Sequence, residues 1–280
     1  MQDNKALNEW VHKLGKCELP VLKHTSRDLA ALRADDEKLT AHSIAHVIKH
    51  DPLMTLKLLR YLQSHKHRAQ TTDVVQVEQA LLMLGIEPFF NHVAPQPLIE
   101  DLLKTHAVAL PPLLRMIHRA HRASEYAYDW AVYLHDLHFE ELRVAALLHN
   151  LAEILMWCFA PDAMLKIRDI QLHDKGLRSH DVQEQVLGFP LKALQKTLVS
   201  QWSLPELLLS LTDEHATKHS RVRIVNLAIN LARHSANGWD DAALPDDYKE
   251  LGELLHLPTD QAMLMVVADA DQVCDLSRPH

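Results

Sequence analysis

Six glycines in 280 residues leave this chain few places to turn its backbone tightly. Glycine supplies the left-handed conformations on which hairpin turns rely, so a chain this poor in glycine is a poor sheet-former. Leu, Ala, Gln, Glu and His fill the sequence instead, aromatics are only 5 %, and apolar residues reach 48 %. That is enough apolar material for one large or two modest cores. The fold class predicted is all-α.

Start and stop signals support this. Thr40 precedes an apolar face at Ile44, Val47 and Ile48. Asp51-Pro52 pairs an N-cap with proline at the first helical position and opens a helix over 53–62. A helix over 79–84 stops at Gly85, and Glu87-Pro88 restarts the chain. Pro95, Pro97, Pro111 and Pro112 flank a short helical piece at 98–106 and mark the expected division between residues 1–110 and 111–280. Beyond it the pattern predicts two long helices, 113–134 and 139–159. Shorter ones follow at 162–172, 179–187, 191–202, 205–215, 220–235 and 259–276, with Asn237-Gly238 as a stop.

Bulk properties exclude some functions. A formal net charge of −8 does not suit nucleic-acid binding, which rests on phosphate neutralisation. Cys17, Cys158 and Cys274 are odd in number and far apart, as expected for reduced thiols in the cytoplasm. The polar N-terminus, Met1 to Lys5, leads into no secretory core. The apolar window 142–160 carries Arg143, His149, Asn150 and Glu153, which points to a buried central helix rather than a membrane span.

Twenty-one histidines invite a search for metal. Literal His-Asp pairs stand at His50-Asp51, His135-Asp136, His173-Asp174 and His180-Asp181, but none lies inside an apolar helix. Ser64 to Arg68, with His65 and His67, reads as a solvated basic turn or a phosphate- or partner-binding patch. His149 differs, because Ala145, Leu148, Ala152 and Met156 surround it at helical spacing. A core histidine held by a hydrogen bond and a metal ligand are both open readings there. His118 and His121 share a helix face with Glu125 one turn on, which admits chelation, solvent exposure or a His–Glu pair.

Several stretches in order resemble the HD-related output domain (HDOD), a divergent branch of the HD metal-dependent phosphohydrolases found in bacterial signalling proteins. They are Leu19-Pro20 with a following helix, Val47 to Leu59 containing Asp51-Pro52, and Val77 to Gly85. Ala145 to Glu153 stands at the family's "LLHDIG" run, and Leu187-Gly188-Phe189-Pro190 and Gln201 to Glu206 match later elements. The resemblance covers about residues 15–237. It implies an N-terminal helical bundle packed on an HD-domain-like helical core. It also implies a metal held by a first histidine, a His-Asp pair and a distant aspartate.

Carried over, those positions are His121, His149, Asn150 and Asn230. Both carboxylate positions are amides, the histidine some relatives place after "GF" is Leu191, and a further histidine pair reads Glu214-His215. Neutral carbonyl oxygens are poor ligands for hard cations. The expectation is therefore a vestigial site with no catalytic residue, no bound metal and no cofactor. Glu153, Glu214 and His215 are the candidates to compensate. The protein would be a stand-alone bacterial signalling unit, its input coming from another chain. It would bind a signalling protein or a nucleotide second messenger, not a membrane or nucleic acid. The alternative is a phosphohydrolase of nucleotides or cyclic dinucleotides using Fe, Mn, Ni or Zn.

Overall fold

A computed structural model of the chain describes residues 4–65, 74–174, 176–211 and 219–268. These residues form helices and connecting turns, with one isolated parallel bridge between Val21 and Leu98. The all-α expectation holds. In chain order the helices are α1 (Lys5–Lys16), α2 (Lys23–Arg33), α3 (Ala41–Ile48), α4 (Pro52–Ser64), α5 (Val77–Leu84), α6 (Ile86–His92), α7 (Ile99–Leu102) and α8 (Leu110–Tyr133). There follow α9 (Phe139–Leu147), α10 (Leu151–Phe159), α11 (Pro161–His173), α12 (Ser179–Leu187), α13 (Leu191–Gln201), α14 (Leu207–Ser210), α15 (Ser220–His234), α16 (Leu244–Leu255) and α17 (Thr259–Ala268).

Contacts divide the chain into two compact units, which interleave in sequence. The first comprises 1–117 and 150–206, the second 118–149 and 207–280. The proline-rich stretch therefore does not end a unit. Pro111 and Pro112 lie in the first turn of α8, where backbone N–H groups have no intrahelical acceptor and proline costs nothing.

The first unit is organised around α4. Its residues Pro52 to Leu59 are all buried, including Thr55 and Lys57. Such a helix must satisfy its polar groups internally. Asp51 does so at the start: Oδ1 accepts from the N–H groups of Leu53 (2.9 Å) and Met54 (3.1 Å). Its Oδ2 accepts from Leu22 N–H at 3.0 Å, where the chain enters α2. Lys57 Nζ spends its three donors on Glu18 Oε1, Leu19 O and Gln96 O. Arg60 donates to the carbonyls of Gly15 and Cys17 at the end of α1, where a cation suits the helix dipole. Beside α4, α5 packs on α3 and α4, while α13 packs on α1 and α10.

In the second unit α15 packs on α9, α16 on α15 and α17 on α16. The sequence pattern passed over α1 and α16. Pro245 with Asp246 and Asp247 in the first turn is a start signal for α16 that was there to be read.

One expectation is corrected. The single helix predicted over 139–159 is two, α9 and α10, with a turn at 148–150. The N–H of His149 reaches back only three residues, to Ala146 O at 3.4 Å, tightening the last turn of α9. His149 thus sits at a helix end rather than mid-helix. An unbroken apolar run hides such a break, because the residues on both sides are buried. Phe139–Phe159 is apolar enough by length and composition to cross a membrane, yet 78 % of its window is buried within the fold.

Burial pushes the Asp51 carboxyl above the ordinary carboxylate range, and the N–H groups of Leu22, Met54 and Leu53 offset only part of this. Removing the acceptor by Asp51→Ala should lower stability to urea by about 3 kcal/mol, because buried N–H groups lose their partner. The raised pKa sets the sign for pH. The stability contributed by the protonated carboxyl is full below the unfolded carboxylate pKa and is lost as pH rises through the folded one. The stability advantage of the wild type over Asp51→Asn should therefore shrink as pH rises through that window, as measured by urea denaturation across pH.

Candidate functional site

His121 and Glu125 lie one turn apart on α8, both half-buried, with His121 Nε2 and Glu125 Oε1 3.8 Å apart. The spacing is what an i, i+4 pair dictates on a helix face. His118 is exposed, so the face offers a His–Glu pair rather than a pair of imidazoles.

Glu125 already has a cation. Arg143 of α9 places Nη2 3.5 Å from Glu125 Oε1, and its Nη1 donates to Glu140 Oε1 at 3.2 Å. Its guanidinium carbon lies 3.6 Å from the centre of the Tyr128 ring, a stacked cation–π contact. The Arg143 side chain is only 8 % exposed, so its charge acts in a medium that screens it poorly.

Asn230 sits on α15, half-buried, and its Oδ1 accepts from Arg233 Nη2 at 3.2 Å. The same nitrogen of Arg233 lies 3.2 Å from His234 Nε2, and His234 Nδ1 meets Asp247 Oδ2 at 2.5 Å. Burial pushes the Asp247 carboxyl up, and His234 pulls it back only partly. The amide oxygen thus belongs to a polar chain running from Asn230 to Asp247.

His149 ends α9 and Asn150 opens α10, both half-buried. Asn150 and Glu153 have the spacing of an N-cap and its third helical residue. The Asn150 side chain makes no capping bond, however. Gln195 of α13 caps α10 instead, accepting from Ala152 N–H at 3.1 Å. Glu153 is half-buried in the first turn of α10, where its charge suits the helix dipole. Glu214 and His215 fall outside the described residues, as do His67 and Arg68 of the basic turn.

The literal His-Asp pairs have structural occupations. Asp51 caps α4. Asp136 pairs with Arg221, Asp174 accepts from Gly176 N–H, and Asp181 contacts His180 on an exposed surface. Sequence reading missed Arg143 as the partner of Glu125 and Arg233 as the partner of Asn230. A lone arginine inside an apolar helix, as Arg143 is, was the available signal, since buried arginines are nearly always paired.

The HDOD domain model matches residues 19–218. The chain belongs to the HDOD family. Among curated proteins, none matches it in sequence. The fold is similar to that of the MmoQ response regulator from Methylococcus capsulatus str. Bath, at 17 % identity and a TM-score of 0.67, over 90 % of this chain and 98 % of that one. It is likewise similar to a virulence factor from Campylobacter jejuni subsp. jejuni, at 15 % identity and a TM-score of 0.67, over 95 % of each chain. Within the second unit of this HDOD chain, guanidinium groups stand beside Glu125 and Asn230.

Replacing Arg143 tests how firmly the polar cluster is held. Arg143→Gln should cost about 2 kcal/mol, less than a fully buried ion pair because Glu125 and Glu140 are about one-third exposed. Arg143→Lys should recover part of that loss, since a single ammonium cannot fork between two carboxylates while stacking on Tyr128. Urea denaturation of both variants checks the order.

Proposed function

We propose that this HDOD protein is a catalytically silent regulator in bacterial signalling, working in the cytoplasm by binding a partner protein or a nucleotide signal. The observation that carries the reading is the fate of the two positions matched to the family's aspartates. Asn150 and Asn230 carry no charge, and the Asn230 oxygen already serves Arg233. These residues do not fit a divalent cation. Glu125, within the second unit, is paired with Arg143, so a dication at Glu125 would displace or oppose a guanidinium. With turnover gone, the family's fold is left to act through its surface and its conformation.

The similarity to a response regulator adds support at the level of fold. What such a protein transmits would be a change of binding affinity, with the ligand favouring one of two conformations.

The second reading is a metal-dependent phosphohydrolase of nucleotides or cyclic dinucleotides. The His121–Glu125 pair favours it, because a nitrogen and a carboxylate oxygen 3.8 Å apart could both touch one cation. Fe, Mn, Ni or Zn would then be needed, with Glu125 or Glu153 replacing an aspartate.

Metal analysis of protein purified without chelator separates the two. The silent reading expects substoichiometric Fe, Mn, Ni and Zn, and no hydrolysis of bis(p-nitrophenyl) phosphate when each metal is added. Stoichiometric metal that disappears on His149→Ala would overturn it. Thermal-shift measurements against nucleotides and cyclic dinucleotides then test the input. A shift from one of them identifies a nucleotide signal, whereas none leaves a protein partner as the input.

A further inference from the structure

The loop between α8 and α9 holds His135-Asp136, a pair that has no part in the positions matched to the family's metal site. With the start of α15 and the end of α16 it encloses a cleft of about 500 Å³ within the second unit. That volume lies in the range of small-molecule sites. The floor is apolar, made by Leu134, Ile224 and Leu254. Leu137 stands at the cleft 85 % exposed.

Apart from Asp136 and Ser220, the polar lining consists of groups that can donate. Arg221, His135, His138 and His256 all face the cleft. The one carboxylate among them is consumed: Asp136 Oδ2 accepts from Arg221 Nε at 2.6 Å, and Oδ1 from His138 N–H at 2.9 Å. Burial raises the Asp136 carboxyl, yet these bonds bring it below the ordinary range, so it stays ionised and bound. It fixes Arg221 by the Nε edge while the side chain remains 44 % exposed. His138 engages Glu141 through Nδ1 alone, at 3.4 Å.

The backbone has been bent to make this arrangement. His135 and His256 adopt φ of +56° and +58°, left-handed values that non-glycine residues take at a cost. His256 does so as the C-cap of α16.

From this combination we infer that the cleft is a binding site for a small amphipathic anion, a phosphate or carboxylate carried on a compact apolar body. The guanidinium and imidazoles would take the oxyanion, and the leucine–isoleucine floor the apolar part. The inference is independent of whether the family's metal site is silent.

Saturation-transfer NMR on the full chain, with phenyl phosphate as the probe, tests it. Saturable binding is expected, weakened about fivefold by Leu137→Asp, which places a negative charge at the cleft on a side chain whose exposure spares the fold. Leu82→Asp, on a leucine 68 % exposed in the first unit, should leave binding unchanged. Arg221→Lys should also weaken it while preserving an ion pair to Asp136. Phenylacetate in place of phenyl phosphate distinguishes the carried group. Binding of either supports the inference, and the tighter one names the anion. Three results would overturn it: no saturable transfer from either probe, equal weakening by Leu137→Asp and Leu82→Asp, or inorganic phosphate binding as tightly as phenyl phosphate.

Discussion

A carboxylate buried where α4 begins, with the entry to α2 beside it, is the constraint around which the first unit is organised. Helix α4 has no exposed face through its first two turns, so water cannot satisfy its leading N–H groups. Asp51 supplies the acceptor for two of them and for the chain entering α2. Once that end is fixed, Lys57 and Arg60 follow one and two turns later on the same helix. They bind the segments that carry Glu18, Gln96 and the end of α1. One helix thus gathers two distant stretches of chain, residues 15–22 and Gln96, through charged groups, while its leucines fill the core. The burial cost of the carboxylate is the reason its pKa rises, and the converging N–H groups are the reason it is tolerated.

Much of this fold was legible because its signals are local. Thr40 with Ser43, Asp51 with Pro52, and Gly85 at a positive φ act in the structure as their residue types predict. What escaped was non-local. The turn at 148–150 leaves the apolar run intact, so periodicity reads straight through it. Its cap comes from Gln195, forty-three residues away, which no local pattern can supply. Likewise Pro111 and Pro112 look like punctuation in sequence but occupy the one part of a helix where proline is harmless.

The candidate site divides along the same line. His121, His149, Asn150 and Asn230 were named by the family resemblance, from their places in ordered motifs. The cations were not. Arg143 and Arg233 act through partners three residues away on their own helices, and Arg143 also through Glu125 on another helix. Only coordinates show a guanidinium pointed at a particular oxygen. The aspartates of the four literal His-Asp pairs, by contrast, have structural uses. An aspartate is as useful for capping a helix or holding an arginine as for holding a metal, and those uses are commoner.

The two arginines give the amide substitutions a physical sense beyond the loss of ligands. At an effective dielectric near 20, unit charges 4 Å apart interact by about 4 kcal/mol, and a dication doubles that against a neighbouring guanidinium. Asn150 and Asn230 are neutral amides and add no negative charge of their own. Arg143 is also held by more than charge. It donates to Glu140, stacks on Tyr128 and is nearly buried, so moving it aside would forfeit each of these contacts together. A cation that is covalently part of the chain, already desolvated and already paired, needs no binding equilibrium to stay in place. A divalent ion entering this cluster would have to displace it with fewer anionic ligands than the family's pattern supplies.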